Sequence, residues 1–397
     1  MPKSFNAILF TVTSVIGSHT AVASQEQAIS SAPVLELAPM IVNGHVASVD
    51  TFDEIASLQY DRVDYDGASQ SSPYCGATFI DAEHVLTAAH CIVTDKGDID
   101  VSKLYFTSVV PQLQNKQDFP YNTQDRVYIK EVHIHPGFIN GEAEKWPNDI
   151  AILKLQYSAN TQSYATFAYS EEYRNLNDEF IAVGHGLTQS TSDTVSMDQA
   201  TNQDLLKASL TPVSGQVCED QFGQEVSDKQ LCFTGEVNQS TGLENSTCQG
   251  DSGGPVYWNN NGEMIQVGVT SFGSAQCGDA SYSTTSVFTE ITDYQGWMNE
   301  VVDGNSRANL VVSESDRTAC LDKNANNNPN QLFQCDVNDS YNVDVTQTSG
   351  KTNFASSESA SEASTSNTGG ASSGGGLGII GSLLLIAAGF RRKRNKS

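Results

Sequence analysis

The hexapeptide Gly250-Asp251-Ser252-Gly253-Gly254-Pro255 constrains this chain more than any other stretch. Its glycines and proline dictate a sharp turn, and the turn displays a serine directly after an aspartate. Two further segments accompany it upstream, Thr87-Ala88-Ala89-His90-Cys91 and Asn148-Asp149-Ile150-Ala151. Their flanks, Val85-Leu86-Thr87-Ala88-Ala89 and Ile150-Ala151-Ile152-Leu153-Lys154-Leu155, have the apolar, β-rich character of buried strand or turn segments. A Gly/Pro turn by itself is ordinary. A histidine, an aspartate and a serine on three such segments, in that order, are not.

A serine hydroxyl is a poor nucleophile until a neighbouring base takes its proton. Ser252 has the residue type for the attack, His90 for the base, and Asp149 for holding the imidazole in one tautomer. The order His, Asp, Ser differs from that of subtilisin-like and α/β-hydrolase chains. From Ile41 to about Asp303 the sequence resembles a trypsin/chymotrypsin-type serine protease of peptidase family S1. The resemblance implies that the backbone N–H groups of Gly250 and Ser252 form the oxyanion hole. It also implies a serine endopeptidase that works without a cofactor on protein or peptide substrates.

Between Ile41 and Asp303, short β-rich runs alternate with Gly, Asn, Asp and Ser. Gly76-Ala77-Thr78-Phe79-Ile80, Phe180-Ile181-Ala182-Val183-Gly184 and Ile265-Gln266-Val267-Gly268-Val269 are examples. The chain is therefore expected to be all-β. The resemblance implies two six-stranded antiparallel β-barrels with the three residues in the cleft between them. A C-terminal helix is expected near Tyr294-Gln295-Gly296-Trp297-Met298. His185 stands where the family usually has tryptophan, a departure attributed to packing.

The eight cysteines are even in number, which in an exported chain favours disulfides over metal ligands. The family pattern implies Cys75–Cys91, Cys218–Cys232 and Cys248–Cys277, leaving Cys320 and Cys335 for a fourth bridge. No Cys-x-x-Cys or His-Glu-x-x-His spacing occurs, and the alternating His133 and His135 are given no metal role. The formal net charge of −26 argues against nucleic acid as a partner and for a soluble, exported protein.

Ile41-Val42-Asn43-Gly44 resembles the mature amino terminus of the family. Cleavage at Met40–Ile41 would free an α-amino group to pair with Asp251, since a buried carboxylate needs a partner charge. Residues 1–23 have the character of a secretory signal, with Lys3, an apolar run and Ala21-Val22-Ala23. Residues 24–40 would then be a propeptide, removed by an activating protease or by the enzyme itself.

Residues 304–350 are expected to form a small disulfide-tied module, a hairpin across Asn324-Ala325-Asn326-Asn327-Asn328-Pro329-Asn330. Residues 351–376 have a flexible Ser/Gly-rich linker composition, and residues 377–397 a short apolar helix with a basic end. This tail resembles the GlyGly-CTERM sorting tail of bacterial exported proteins. That resemblance implies export machinery, a rhomboid-type sorting protease, transient inner-membrane tethering and delivery to the surface or outside of a Gram-negative-type cell.

Ser246 lies six positions before the nucleophile, where trypsin-like relatives carry aspartate. Ser271, Gly273 and Ser286 match the walls of the same substrate pocket. Without a buried carboxylate the pocket is expected to prefer apolar side chains of intermediate size, such as the Met40 of the processing site. The alternative has Asp279 folding into the pocket and restoring affinity for Arg or Lys. A catalytically silent binding module is the competing class, but such relatives usually lose one of the three residues, and none is lost here.

Overall fold

The computed structural model describes residues 41–325 and Cys335, apart from positions 71, 162, 175–177, 189–202, 224 and 275. The expected signal, propeptide, linker and sorting tail lie outside the described residues. Among the described residues no helix is long and apolar enough to cross a membrane.

After a short strand β1 (His45–Val46), the chain enters β2 (Ile55–Arg62). Here side chains alternate, and Ala56, Leu58 and Tyr60 turn toward a common apolar core. The two-residue β3 (Ala68–Ser69) pairs with β2. Then follow β4 (Cys75–Phe79), β5 (His84–Thr87), the helical turn α1 (Val101–Leu104), β6 (Thr107–Pro111), β7 (Val127–Ile134) and β8 (Ala151–Leu155). The antiparallel ring β2–β4–β5–β8–β7–β6 closes on itself. Phe79, Leu86, Val109, Val127, Ile129 and Leu153 fill it.

The second barrel repeats the plan. Its ring is β9 (Phe180–Gly184), β10 (Leu206–Pro212), β11 (Gln230–Gly235), β14 (Ser286–Glu290), β13 (Glu263–Gly273) and β12 (Pro255–Asn260), which returns to β9. Phe180, Phe233, Val256, Val267 and Phe288 form its core. Bulges at Val256/Tyr257 and Thr270/Phe272 sharpen the curvature that closure requires. Helix α2 (Gly215–Phe222) lies between β10 and β11, tied to β11 by the Cys218–Cys232 disulfide.

The opposite face of β9 makes the seam between the barrels. Ile181 and Val183 pack there with Phe52, Ile55 and Tyr257. His185 is buried beside them, with Nδ1 3.5 Å from the Ser57 hydroxyl, and burial pushes its imidazole down to about 3. It therefore stays neutral in the folded protein. Helix α3 (Gln295–Val302) then crosses back, burying Met298 and Val301 against the first barrel.

The segment after α3 differs from the expected hairpin. Leu310–Val311 (β15) pairs with β7 and extends the first barrel. Helix α4 (Glu314–Lys323) follows, capped reciprocally by Ser313 and Asp316. Arg317 on this helix is fully buried, donates to the carbonyls of Tyr105 (2.8 Å) and Ile129, and lies 5.0 Å above the Tyr128 ring. Cys320 packs into the barrel core and is bonded to Cys335, whose N–H donates to Ser102 Oγ at 2.9 Å. Leu310–Lys323 is thus structurally continuous with the first barrel.

Arg317→Ala removes the hydrogen bonds that the guanidinium donates to the Tyr105 and Ile129 carbonyls, and losing a buried hydrogen bond of this kind costs about 1–3 kcal/mol. We expect urea denaturation to show the variant at least 2 kcal/mol less stable than the parent. A loss below about 0.5 kcal/mol, the range of ordinary surface changes, would mean that α4 merely rests on the barrel.

Candidate active site

His90 sits on a 3₁₀ turn, Ala89–Ile92, directly after β5. The Cys75–Cys91 disulfide, with Cα atoms 6.3 Å apart, ties that turn to β4. Asp149 lies two residues before the start of β8, the strand that pairs with β5. Pairing of these two strands therefore sets histidine and aspartate side by side.

The Asp149 carboxylate is completely buried and well supplied with donors. The His90 backbone N–H reaches Oδ1 at 2.9 Å, and His90 Nδ1 reaches Oδ2 at 2.7 Å. Ser271 Oγ, from the second barrel, donates to Oδ2 at 2.5 Å. Burial alone would lower the His90 imidazole, but the Asp149 carboxylate outweighs it and holds the group above its ordinary value. With Nδ1 committed to Asp149, Nε2 is the nitrogen left to exchange a proton.

Ser252 arrives from the turn that leads into β12. Gly250 (φ 98°) and Gly253 (φ 77°) occupy the left-handed region, which a side chain would strain. The turn presses against the first barrel: Gly76 N–H donates to Ser252 O at 2.8 Å, and a Cβ on Gly76 would lie 2.8 Å from Gly254 Cα. The Ser252 hydroxyl and the N–H groups of Gly250 and Ser252 make no hydrogen bond among the described residues.

Ser252 lines a cavity of about 440 Å³ with Thr247, Gln249, Ser271, Phe272 and Gly273. His90 lines an adjoining one of about 360 Å³, and Glu142, Trp146, Ser271 and Phe272 border both. Trp146 stacks obliquely on Phe272 at 5.4 Å, making an aromatic wall between the two. A third cavity of about 430 Å³, bordered by Tyr173, Arg174 and Phe233, contains none of these groups.

The residues expected in the pocket separate. Ser271 and Gly273 line the cavity, and Ser271 also serves Asp149, a contact that the sequence reading did not include. Ser246 and Ser286 are fully buried and are not among its lining residues. Ser286 Oγ accepts the Thr247 N–H at 2.9 Å, whereas Ser246 Oγ has no partner among the described residues. Asp279 is held in its own turn, accepting the Ser281 N–H at 2.9 Å, which lowers its carboxyl. It does not line the cavity. The Cys248–Cys277 bridge borders it, with both cysteines lining the wall.

Ile41 is buried against Leu206 and Ala208, and the Val42 N–H donates to Ser246 O at 3.0 Å. The buried Asp251 carboxylate accepts the N–H groups of Gly186 (2.7 Å) and Cys248 (2.9 Å), and the cation that acts on it among the described residues, Lys116, does so without a direct ion pair. Burial pushes its carboxyl up to about 7. His133 lies 3.5 Å from Glu131, and His135 stands edge-on to Tyr294 and Trp297. Cys75, His90 and Cys91 have ligand-like proximity, but the two sulfurs are bonded to each other.

The family model described as Trypsin matches residues 41–298. Chymotrypsin-like elastase family member 1 of Rattus norvegicus is 30% identical over 269 residues, covering 66% of this chain and 89% of the relative. The CLIP domain-containing serine protease B4 of Anopheles gambiae is 25% identical over 277 residues, covering 67% and 71% respectively. Among solved structures, neuropsin, a serine protease expressed in the limbic system of mouse brain, aligns over 66% of this chain and all of its own, with a TM-score of 0.51 and 24% identity.

The hydrogen bonds to Asp149 carry a measurable consequence. Nuclear magnetic resonance titration should place His90 above the ordinary histidine value of about 6.5. Asp149→Asn should bring it down. A His90 value unmoved by that substitution would contradict the pairing.

Proposed function

The chain belongs to the trypsin family of serine proteases and is a serine endopeptidase; on that premise we propose that Ser252, His90 and Asp149 are its catalytic triad. The observation that carries this reading is the twofold contact of His90 with a buried Asp149, beside the cavity that Ser252 lines.

Ser252 Oγ attacks the scissile carbonyl carbon while its proton passes to His90 Nε2. The carbonyl oxygen becomes an oxyanion, met by the unengaged N–H groups of Gly250 and Ser252. Collapse expels the amine, which takes the proton from His90, and leaves an acyl-enzyme. Water then repeats the sequence, giving its proton to His90 and its oxygen to the acyl carbon, and Ser252 is restored. Asp149 stabilises the imidazolium at both steps and keeps its own charge. The hydrogen bond from Ser252 to His90 forms as substrate closes the cleft, as catalytic contacts often do.

We assign an apolar preference at the residue preceding the scissile bond. Its support is Ser246 at the position where trypsin-like relatives carry aspartate; Thr247, Ser271, Phe272 and Gly273 line the cavity with Ser252, and its one carboxylate, Glu142, is accompanied there by Lys145. Asp279 capping its own turn argues against the Arg/Lys alternative. The resemblance to a chymotrypsin-like elastase points the same way. Activation follows from cleavage at Met40–Ile41: a new ammonium at Ile41 would give Asp251 a direct ion-pair partner. The disulfides support an extracellular location, and the sorting-tail reading rests on residues 351–397 of the sequence.

The test uses mature enzyme beginning at Ile41 and peptides that differ only at the residue before the cut. Met, Leu, Phe and Tyr peptides should be cleaved and Arg and Lys peptides should not. Ser252→Ala should lose about 10⁶ in kcat. Fast cleavage after Arg or Lys alone would reverse the specificity assignment, and an active Ser252→Ala enzyme would remove the triad.

Activation predicts an alkaline limit. The Ile41 ammonium, stabilised by Asp251, would hold its proton to a higher pH than an ordinary α-amino group of about 7.7–8.0. Activity should persist through that range and fall above it. Blocking the α-amino group by acetylation should abolish activity; an acetylated enzyme of full activity would refute the ion pair.

A further inference from the structure

The described residues hold a set of hydroxyl contacts that the mechanism above does not use. Three of the four residues before Asp149 adopt left-handed backbone angles: Lys145 (φ 58°), Trp146 (φ 45°) and Asn148 (φ 55°). Such angles are uncommon outside glycine, though asparagine tolerates them best. They persist only where surrounding contacts fix them.

Asn148 is fixed at both ends of its side chain. Its Nδ2 donates to Gly137 O at 2.8 Å, and its Oδ1 accepts from Tyr294 Oη at 3.1 Å. Tyr294 is almost wholly buried at the start of α3, with His135 edge-on to its ring at 5.0 Å. The next peptide is held as well: Thr289 Oγ1, on β14, donates to the Asp149 carbonyl at 2.9 Å in a buried setting. Ser271 on β13 reaches the carboxylate itself.

These three hydroxyls come from the second half of the chain, whereas Asn148, Asp149 and His90 belong to the first barrel. The nucleophile Ser252 belongs to the second. The contacts therefore register Asp149, and His90 through it, against the barrel that carries the nucleophile.

We propose that Thr289 and Tyr294 are positioning residues that fix the Asn148–Asp149 backbone across the barrel seam and so orient the Asp149 carboxylate toward His90. Neither touches substrate, and neither has to change protonation state. The inference rests on the triad assignment of the preceding subsection.

Thr289→Val keeps the shape and removes the hydroxyl; Tyr294→Phe does the same at the second contact. Both are measured in mature enzyme beginning at Ile41, beside the parent and Ser252→Ala, with thermal melting recorded for each. Misplacement of a catalytic group by about 1 Å can cost 10²-fold, so kcat should fall about 10- to 100-fold with KM changed less than about twofold. The acid limb of kcat/KM should move to lower pH, because a loosely held Asp149 raises His90 less. The other charged side chain acting on His90, Lys103, is left in place. Thr289→Ser should restore the parent values.

If either variant fails to fold, the other and the Thr289→Ser rescue carry the test. Folded variants with the parent kcat and acid limb, changed only in melting temperature, would overturn the proposal. A parent enzyme no more active than Ser252→Ala would instead overturn the triad assignment, and the proposal with it.

Discussion

Everything at the cleft depends on supplying hydrogen-bond donors to the Asp149 carboxylate, which is completely buried. Burying a carboxylate is costly unless hydrogen bonds replace the water it loses. Here three donors do so: the His90 N–H, His90 Nδ1 and Ser271 Oγ. Two come from the turn after β5 and one from β13, so the charge can be satisfied only when both barrels are closed and docked. The carboxylate thereby makes correct assembly a condition of its own stability.

The seam is built to allow that docking at close range. Apolar side chains, Phe52, Ile55, Ile181, Val183 and Tyr257, provide the general adhesion. Backbone approaches backbone closely where Gly76 meets Gly253 and Gly254, which brings the turn carrying Ser252 against β4. The disulfide at Cys75 and Cys91 holds the histidine turn to the same strand. β4 is thus the common support for His90, the proposed base, and for the turn that bears Ser252, the proposed nucleophile, with Gly76 and Cys75 as neighbours in sequence.

Much of this was legible in the sequence because chemistry and conformation coincide there. A turn as tight as Gly250–Pro255 must be spelled in glycine and proline, and β-rich runs between Gly, Asn and Asp announce antiparallel strands. The C-terminal segment was not legible for the opposite reason. Helix α4 buries Asp316, Arg317 and Cys320 instead of an apolar stripe, and β15 has only two residues. Arginine inside a barrel wall leaves no hydrophobic period to detect; its partners are carbonyls distant in sequence. Ser271 matches the pocket wall and does line the cavity, and its hydroxyl also donates to the Asp149 carboxylate. Sequence order places a residue on a strand but does not say which of two adjoining sites its side chain serves.

Two aspartates near the cleft show how environment separates their roles. Asp149 has a base beside it that can become a cation, and its charge is exploited at each proton transfer of the proposed mechanism. Asp251, the residue before Ser252, has two backbone amides, and burial still pushes its carboxyl up to about 7. In the intact chain that group is under-satisfied, while Ile41 already lies in a buried position and Val42 is joined to Ser246. On the proposed activation the missing element is a charge, not a shape. Hydrolysis of one peptide bond would supply that charge, and the loop it stabilises is the one whose N–H groups at Gly250 and Ser252 must face the oxyanion.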